Sequence, residues 1–407
     1  MKNLKLKSNN KGITLVALVI TIIVLIILAG VSISMLLGDD GIIQKAKEAA
    51  EKTDKAVQKE QQDLQNLLDQ LNGSLSDTKS LPKIAEVIES GNQFNENTPL
   101  EDEYGNQVVI PSGFHIAMPN ASNGIVYDYT GNGTPSVQDG IVIEDNDGNQ
   151  FVWIPVGTIK NKEDDENGTT TTITLGRYEF DEETGEPNEY KNTSYIEETP
   201  AEHTSSGYKN TVASNITDFI TSANTNKGYY LARYEASYRD GTRPYSIKSE
   251  GTPADNTAAP SSYSTKQLWN WITQPDAANA AKAMYTSSDF TSDLVNSYAW
   301  DTTIVFIQKY SEGNSAYSRQ TGLNYVSGKK YPDNTGERTG TTDKVCNIYD
   351  MASNCAEWTT ETYASSGSYC VFRGGKWSDR NYYTSYRIYN NNSNSFCGVS
   401  FRITLYI

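Results

Sequence analysis

"IYDMASNCAEWT" (348–359) and, twelve residues on, "FRGGKWSD" (372–379) are the stretches on which the fold turns. The first places one acid, Glu357, between Ala356 and Trp358. A buried carboxylate in that position must cap or hydrogen-bond a neighbouring loop. The second closes the apolar strand "YCVFRGG" with two glycines, which let chain segments cross closely. Arg373, and Arg402 near the C-terminus, are of the type that ties loops together.

Outward from there the chain reads as strands joined by long loops. "YGNQVVIP" (104–111) and "DGNQFVWIP" (147–155) each put a tight-turn glycine before an apolar strand closed by proline. We read them as two ordinary strands with similar turns. "DGIVIEDNDGNQFVWIPV" (139–156) predicts a β-hairpin, and "GYYLARYEASY" (228–238) a further strand. Val399, Phe401, Ile403, Leu405 and Ile407 alternate with more polar residues, which predicts a half-buried terminal strand. Helices are predicted within "STKQLWNWITQPDAANAAKAM" (264–284), broken or restarted at Pro275, and in "SDLVNSYAWDTTIVFIQKY" (292–310), capped by Ser292 or Asp293.

The N-terminus differs in kind. Four lysines precede Ile13–Leu37, an uncharged run of 25 residues, longer than the ~20 that span a bilayer as a helix. The basic flank predicts the N-terminus inside and the rest outside. A cleaved secretory signal and a plain signal anchor are the alternatives. Ile43, Ala50, Val57, Leu64 and Leu71 then recur every seven residues, but the companion positions Ala46, Thr53, Glu60 and Leu67 are half polar. A weakly packing helical stalk is expected over 39–80, ending in the linker 73–80.

Composition excludes several classes. The net charge of −16 argues against a nucleic-acid partner, which demands a basic face. Only His115 and His203 are present, too few for a three-histidine iron site and poor material for a zinc site. The 27 tyrosines, with frequent Asn, Ser, Thr and Gly, suit a loop-rich β domain outside the cell. Cys346, Cys355, Cys370 and Cys397 all fall in the last 62 residues. An even count in an oxidising compartment predicts one or two disulfides, with buried thiols as the alternative.

Two resemblances organise these readings. "KGITLVALVITIIVLIILAG" (11–30) resembles the type IV prepilin signature. That implies cleavage between Gly12 and Ile13 by a prepilin peptidase, N-methylation of Ile13, and other pilin subunits as partners. Ala17 stands where that family carries the glutamate used in assembly, which puts polymerisation in doubt. "FVWIPVG" (151–157), "GYYLARYEAS" (228–237), "SDLVNSYAWDTTIVFI" (292–307), the two stretches quoted first, and "GVSFR" (398–402) follow one another as in the formylglycine-generating enzyme, or sulfatase-modifying factor, family. That resemblance implies a coil-rich α+β domain of the C-type lectin-like fold. The expected organisation is a leader (1–12), a transmembrane helix (13–38), a stalk and linker (39–80), an N-terminal extension of the head (81–139) and the lectin-like head (140–407).

The family's oxidative chemistry is not expected. Its copper-binding cysteines follow the Arg-Gly-Gly turn; Thr384 and Tyr389 occupy those positions here, and no cysteine lies between Cys370 and Cys397. The histidines of its iron-dependent relatives are missing too. No cofactor is required on this reading, although the resemblance implies a structural calcium on Glu357, with Ser353 and Cys355 supplying carbonyls. Ser353 replaces the usual glycine and Ala356 the usual tryptophan.

Binding is expected on "NYYTSYRIYNNNSNSFC" (381–397) and the residues before it. Tyrosine with Asn and Ser makes an adaptable contact surface. The candidate ligand residues are Trp377, Asp379, Arg380, Asn381, Tyr382, Tyr383, Tyr386, Tyr389, Asn391 and Asn394. In the family's retroelement-diversified receptors this region is the ligand face, and all 17 residues of the stretch belong to the set such diversification reaches. The expected function is a non-enzymatic, membrane-anchored or pilus-associated bacterial surface protein. Its head binds an extracellular protein or glycan, as an adhesin would. An enzyme modifying surface proteins and a structural minor pilin are the alternatives.

Overall fold

Asp102 and Asp145 begin the same turn twice. Each aspartate accepts from two backbone N–H groups through Oδ1, at 2.8–3.0 Å, and from an asparagine amide through Oδ2, at 2.8–3.0 Å. Gly105 and Gly148 sit in the left-handed region, at φ 80° and 82°, where glycine carries no steric penalty. The strands that follow go to different sheets: Gln107–Ile110 pairs only with Thr98–Glu101, while Gln150–Pro155 lies inside the largest sheet. The repeat is of a turn and not of a domain.

The computed structural model describes residues 20, 22–25, 80–88, 93–118, 134–162, 168–197, 216–321, 330, 332–335, 344–364, 369–379 and 381–407. The chain divides into two units, Met1–Ser80 and Leu81–Ile407. In the first, Ile20 and Ile22–Leu25 are helical and exposed. The leader with Gly12 and Ile13, most of the expected span 13–38 and the stalk lie outside the described residues. Among the described residues no helix is long and apolar enough to cross a membrane.

The second unit is sheet-rich with few helices. Its main elements, in chain order, are β1 (His115–Ile116), β2 (Val142–Glu144), β3 (Gln150–Pro155), β4 (Tyr195–Ile196), α1 (Ile216–Thr225), β5 (Gly228–Ala232), α2 (Gln274–Ala283), β6 (Thr291–Leu294), α3 (Ser297–Tyr310), β7 (Ala356–Tyr363), β8 (Tyr369–Arg373), β9 (Arg387–Asn391), β10 (Val399–Phe401) and β11 (Ile403–Tyr406). An antiparallel sheet runs β6-β11-β5-β3-β2-β1. The predicted hairpin is its β2–β3 pair, in register Val142 to Val152.

Alternation sorts the core. Along β3, Phe151 and Trp153 enter one apolar cluster, and Val152 and Ile154 enter another. β5 divides the same way, Tyr230 and Ala232 against Tyr229 and Leu231. Successive strand residues point to opposite faces, so a sheet covered on both sides is apolar at every position. α2, through Ala277, Ala278 and Ala281, covers one face together with Trp358, Phe372 and Phe401 of the second sheet. α1 and α3 cover the other, through Phe219, Ala223, Trp300, Ile304 and Ile307.

The second sheet runs β4-β7-β8-β9, with β10 parallel to β7. Residues 399–407 therefore form two strands and not one. β10 belongs to this sheet, β11 lies between β5 and β6 in the other, and the buried Arg402 turns the chain between them. The expected exposed face does not exist. Ser400 Oγ donates to the Trp269 carbonyl and Thr404 Oγ1 to that of Asp293, so the polar positions are buried with partners.

Both helix expectations shift. Residues 291–294 are strand, because pairing with β11 outweighs local helix propensity. Asn296 caps α3, its side chain accepting from the Ala299 N–H at 2.9 Å. Residues 264–272 are not helical. Pro275 lies in the first turn of α2, where no N–H partner is needed, and Thr273 is the cap.

Candidate functional site

Gly374 and Gly375 decide how the quoted stretches meet. A Cβ on Gly375 would stand 1.7 Å from the Ala352 carbonyl oxygen, and Gly374 has φ 92° beside Met351 and Trp300. Only glycine lets the end of β8 cross the 350–354 turn so closely. The crossing holds Arg373 in the interior, where it is fully buried.

Arg402 pairs with Glu357 through two forks. Nε donates to both carboxylate oxygens at 2.9 and 3.1 Å, and Nη2 to Oε1 at 2.6 Å. Its other donors reach the carbonyls of Ala232 and Tyr349. Both oxygens of Glu357, the carboxylate on which a structural calcium was expected, accept from this guanidinium. Ser353 and Cys355 line the same turn, fully buried. Among the described residues no group of three or more His, Cys, Asp or Glu side chains could hold a metal ion.

Close by, Glu235 accepts from the Cys355 N–H at 2.8 Å and from the Asn354 amide. Burial, then Asp350 and Glu357, push its carboxyl well above the usual range. For the cysteines the expectation left disulfides and buried thiols open. No disulfide joins Cys346, Cys355, Cys370 and Cys397, and all four thiols are buried. Burial first, then Asp255, pushes Cys397 up to about 12, and burial raises Cys355 strongly. Thiols so placed stay protonated and unreactive.

A second ion cluster gathers around Arg373, the last residue of β8. Arg373 bonds Asp301 at 2.5 Å and reaches Glu361 at 3.5 Å. Arg387 bonds Glu361 at 2.8 Å and Asp301 at 2.5 Å, and Arg177 bonds Glu361. Burial alone would raise the Glu361 carboxyl, but Arg387, Arg177 and Arg373 together hold it below the usual range. Glu197 accepts from the Ser297 N–H at 2.8 Å and from Thr360 Oγ1. Burial, then Glu361, raises its carboxyl. Arg177 and Arg387 also stack on the Tyr190 ring, at 4.0 and 4.5 Å from its centroid.

Above this cluster opens a groove of about 340 Å³. One wall is the hairpin Tyr178–Phe180 with Pro187–Glu189, continued to Tyr195; the other is the 383–387 segment with Arg319. Tyr383 and Tyr386 meet edge to face at 4.7 Å, and Tyr386 is 40 % exposed. Beside the groove Tyr389 stacks flat on Tyr363 at 4.0 Å and touches Tyr195 and Tyr369. An aromatic shelf results, set over the arginine–carboxylate cluster.

The expected ligand residues divide. Tyr383 and Tyr386 line the groove, and Tyr389 adjoins it. Tyr382 is half-buried under the Lys376 ammonium, 5.4 Å from its ring centroid. Asp379 accepts from the Asn381 N–H at 2.9 Å, Asn391 from that of Ser393 at 3.0 Å, and the Asn394 amide bonds Asn390 Oδ1 at 2.9 Å; these close local turns. Trp377 is buried, so it belongs to the scaffold and not to the face. Arg380 lies outside the described residues. Thr384, at one position of the missing cysteine pair, is fully buried, and its Oγ1 donates to the Gln320 carbonyl.

The hairpin wall was not anticipated. Its sequence, "YEFDEETGEPNEYKNTSY" (178–195), carries the same tyrosine-rich texture with added acids, which was the available signal. A second groove, of about 580 Å³, lies beside α2 between Trp269, Trp271, Thr273 and Asp276.

No protein-family model matches the chain, and no curated protein matches it. Among solved structures it is similar to CarF, with 16% identity and a TM-score of 0.33 over 44% of this chain and 87% of that one. It is similar to PvdO from Pseudomonas aeruginosa, with 12% identity and a TM-score of 0.35 over 66% and 98%. Treponema denticola variable protein 1 shares 17% identity at a TM-score of 0.24 over 63% and 96%. Likenesses this loose carry no argument; what stands is a sheet-rich α+β domain with few helices.

Proposed function

We propose that this chain is a bacterial surface protein, held by its N-terminal apolar segment or carried on a pilus, whose lectin-like head binds an extracellular protein or glycan without chemistry. The supporting observation is the tyrosine-lined groove. Tyr383 and Tyr386, in the segment singled out for its Tyr/Asn/Ser content, form one wall, and the floor is a buried ion network that fixes their backbone. Arg373 donates to the carbonyls of Tyr386 and Ser385, at 2.8 and 3.1 Å. Ordered tyrosines lose little entropy on binding, which is what a recognition surface requires. The residues at the copper positions, Thr384 and Tyr389, offer no thiolate, and soft thiolates are what Cu(I) demands.

The test is a binding screen of the full chain against arrayed extracellular proteins and glycans, repeated with Tyr386→Ala and Tyr383→Ala. Specific retention that both substitutions reduce at least tenfold supports the reading. Retention untouched by either substitution places binding elsewhere. Copper-dependent oxygen consumption by the purified chain would overturn the non-enzymatic assignment.

A further inference from the structure

We infer that the groove takes a lysine or arginine side chain presented by an extended segment of a partner protein; the inference rests on the binding-face reading above. The three arginines under the groove are already matched. Arg387 directs Nε at Glu361, Nη2 at Asp301 and Nη1 at the Tyr178 carbonyl. Arg373 and Arg177 answer the same two carboxylates, with Glu197 behind them. The floor therefore sets three guanidiniums against Asp301 and Glu361, and its arginines are turned to those two acids and to backbone carbonyls.

The rim adds acids of its own. Asp181 spends Oδ1 on its own turn, accepting from Glu183, Thr184 and the Thr184 hydroxyl, and Arg319 lies near enough to help lower its carboxyl. Glu179 and Glu182 also line the groove. Among the described residues neither carboxylate accepts a hydrogen bond or makes an ion pair. Tyr383 and Tyr386 line the same groove, and aromatic ring faces carry the negative end of the quadrupole. Two unmatched carboxylates and exposed ring faces at one opening select for a cation on a slender stem. An anionic ligand would meet those carboxylates at the entrance. A neutral glycan would gain stacking but leave the charges unanswered.

The probe is a twelve-residue Gly-Ser-Lys peptide, with a Gly-Ser-Glu counterpart and a neutral oligosaccharide, titrated against the full chain. Because the chain is acidic overall, the control for general attraction is Glu96→Gln with Glu312→Gln, which removes equal charge at exposed positions elsewhere. The expected result is lysine-peptide binding that falls at least tenfold between 50 and 500 mM salt. It also falls about tenfold in Glu179→Gln with Glu182→Gln and in Tyr386→Ala, and is unchanged in the control. Equal loss in the control, or no lysine-peptide binding, overturns the inference. Oligosaccharide binding that Tyr386→Ala abolishes and the Glu→Gln pair spares overturns it too, while keeping the groove as a binding face. Probe binding indifferent to Tyr386→Ala overturns both.

Discussion

Arg402 with Glu357, and Arg373 with Arg387, Arg177, Asp301 and Glu361, are both buried arginine–carboxylate clusters, but their surroundings differ. The first is sealed: all of its donors end on Glu357 or on backbone carbonyls, and it lies where the chain passes from one sheet to the other. The second rises to the surface through Arg177 and Arg387, which keep 13 % and 9 % side-chain exposure and stack on Tyr190. A closed pair fixes how two sheets join. A shared network, in which each acid has more than one arginine, holds the backbone of an exposed face.

That difference sets the size of the damage each cluster suffers. Arg402→Met leaves Glu357 buried and unpaired, and should cost about 3–5 kcal/mol in urea unfolding. Adding Glu357→Leu should recover much of the loss; no recovery would show that Arg402 acts through its backbone contacts alone. Arg373→Met should cost less, about 2 kcal/mol, because Arg387 still answers both Asp301 and Glu361. Equal losses at Arg402 and Arg373 would erase the distinction.

Acidity probes the surroundings of the two clusters with opposite signs. The Glu361 carboxyl is depressed in the fold, so its contribution is present above the unfolded pKa and is lost as pH falls through the folded value. The Glu235 carboxyl, beside the sealed pair, is raised. Its contribution is complete below the unfolded pKa and is lost as pH rises through the folded value. Glu235→Gln should therefore flatten the fall of the melting temperature with rising pH and leave the acid limb unchanged. A steeper fall with rising pH would contradict that placement. The smallest effect is expected at the groove itself: Tyr386→Ala should stay within about 0.5 kcal/mol of the parent in unfolding. A larger cost would make Tyr386 part of the core.

How far the sequence could be read depended on whether a residue's partners were local. The β2–β3 hairpin was legible because Asp145, Gly148 and Asn149 build its turn from adjacent residues. The helix 297–310 was legible in its apolar periodicity but not in its start, since what makes 291–294 a strand is β11, far along the chain. Arg402 sits in an alternating pattern that promises a wet face, and only the second sheet makes that face dry. Glu357 was rightly marked as a buried, bonded acid, and the guanidinium it bonds was visible only in three dimensions. At the groove, half the wall was foreseen from Tyr383 and Tyr386. The other half comes from 178–195, which nothing local ties to 383–387. Spacing and compartment left disulfides and buried thiols both open for the four cysteines, and which of them lie near one another, as Cys355 does to Cys397, is visible only in three dimensions.

The passage of the chain through Arg402 also bears on the order in which the head forms. Arg402 donates to Ala232, a residue 170 positions earlier, and β11 fills the place between β5 and β6. Until residues 399–406 have left the ribosome, β5 has one neighbour where it will have two, and β7 lacks its parallel partner. Contacts of such sequence separation slow folding, because loop closure must precede their reward. Without residues 399–406 neither sheet is complete, and the chain before them stays open. That state exposes unpaired strand edges to aggregation until the two sheets are complete.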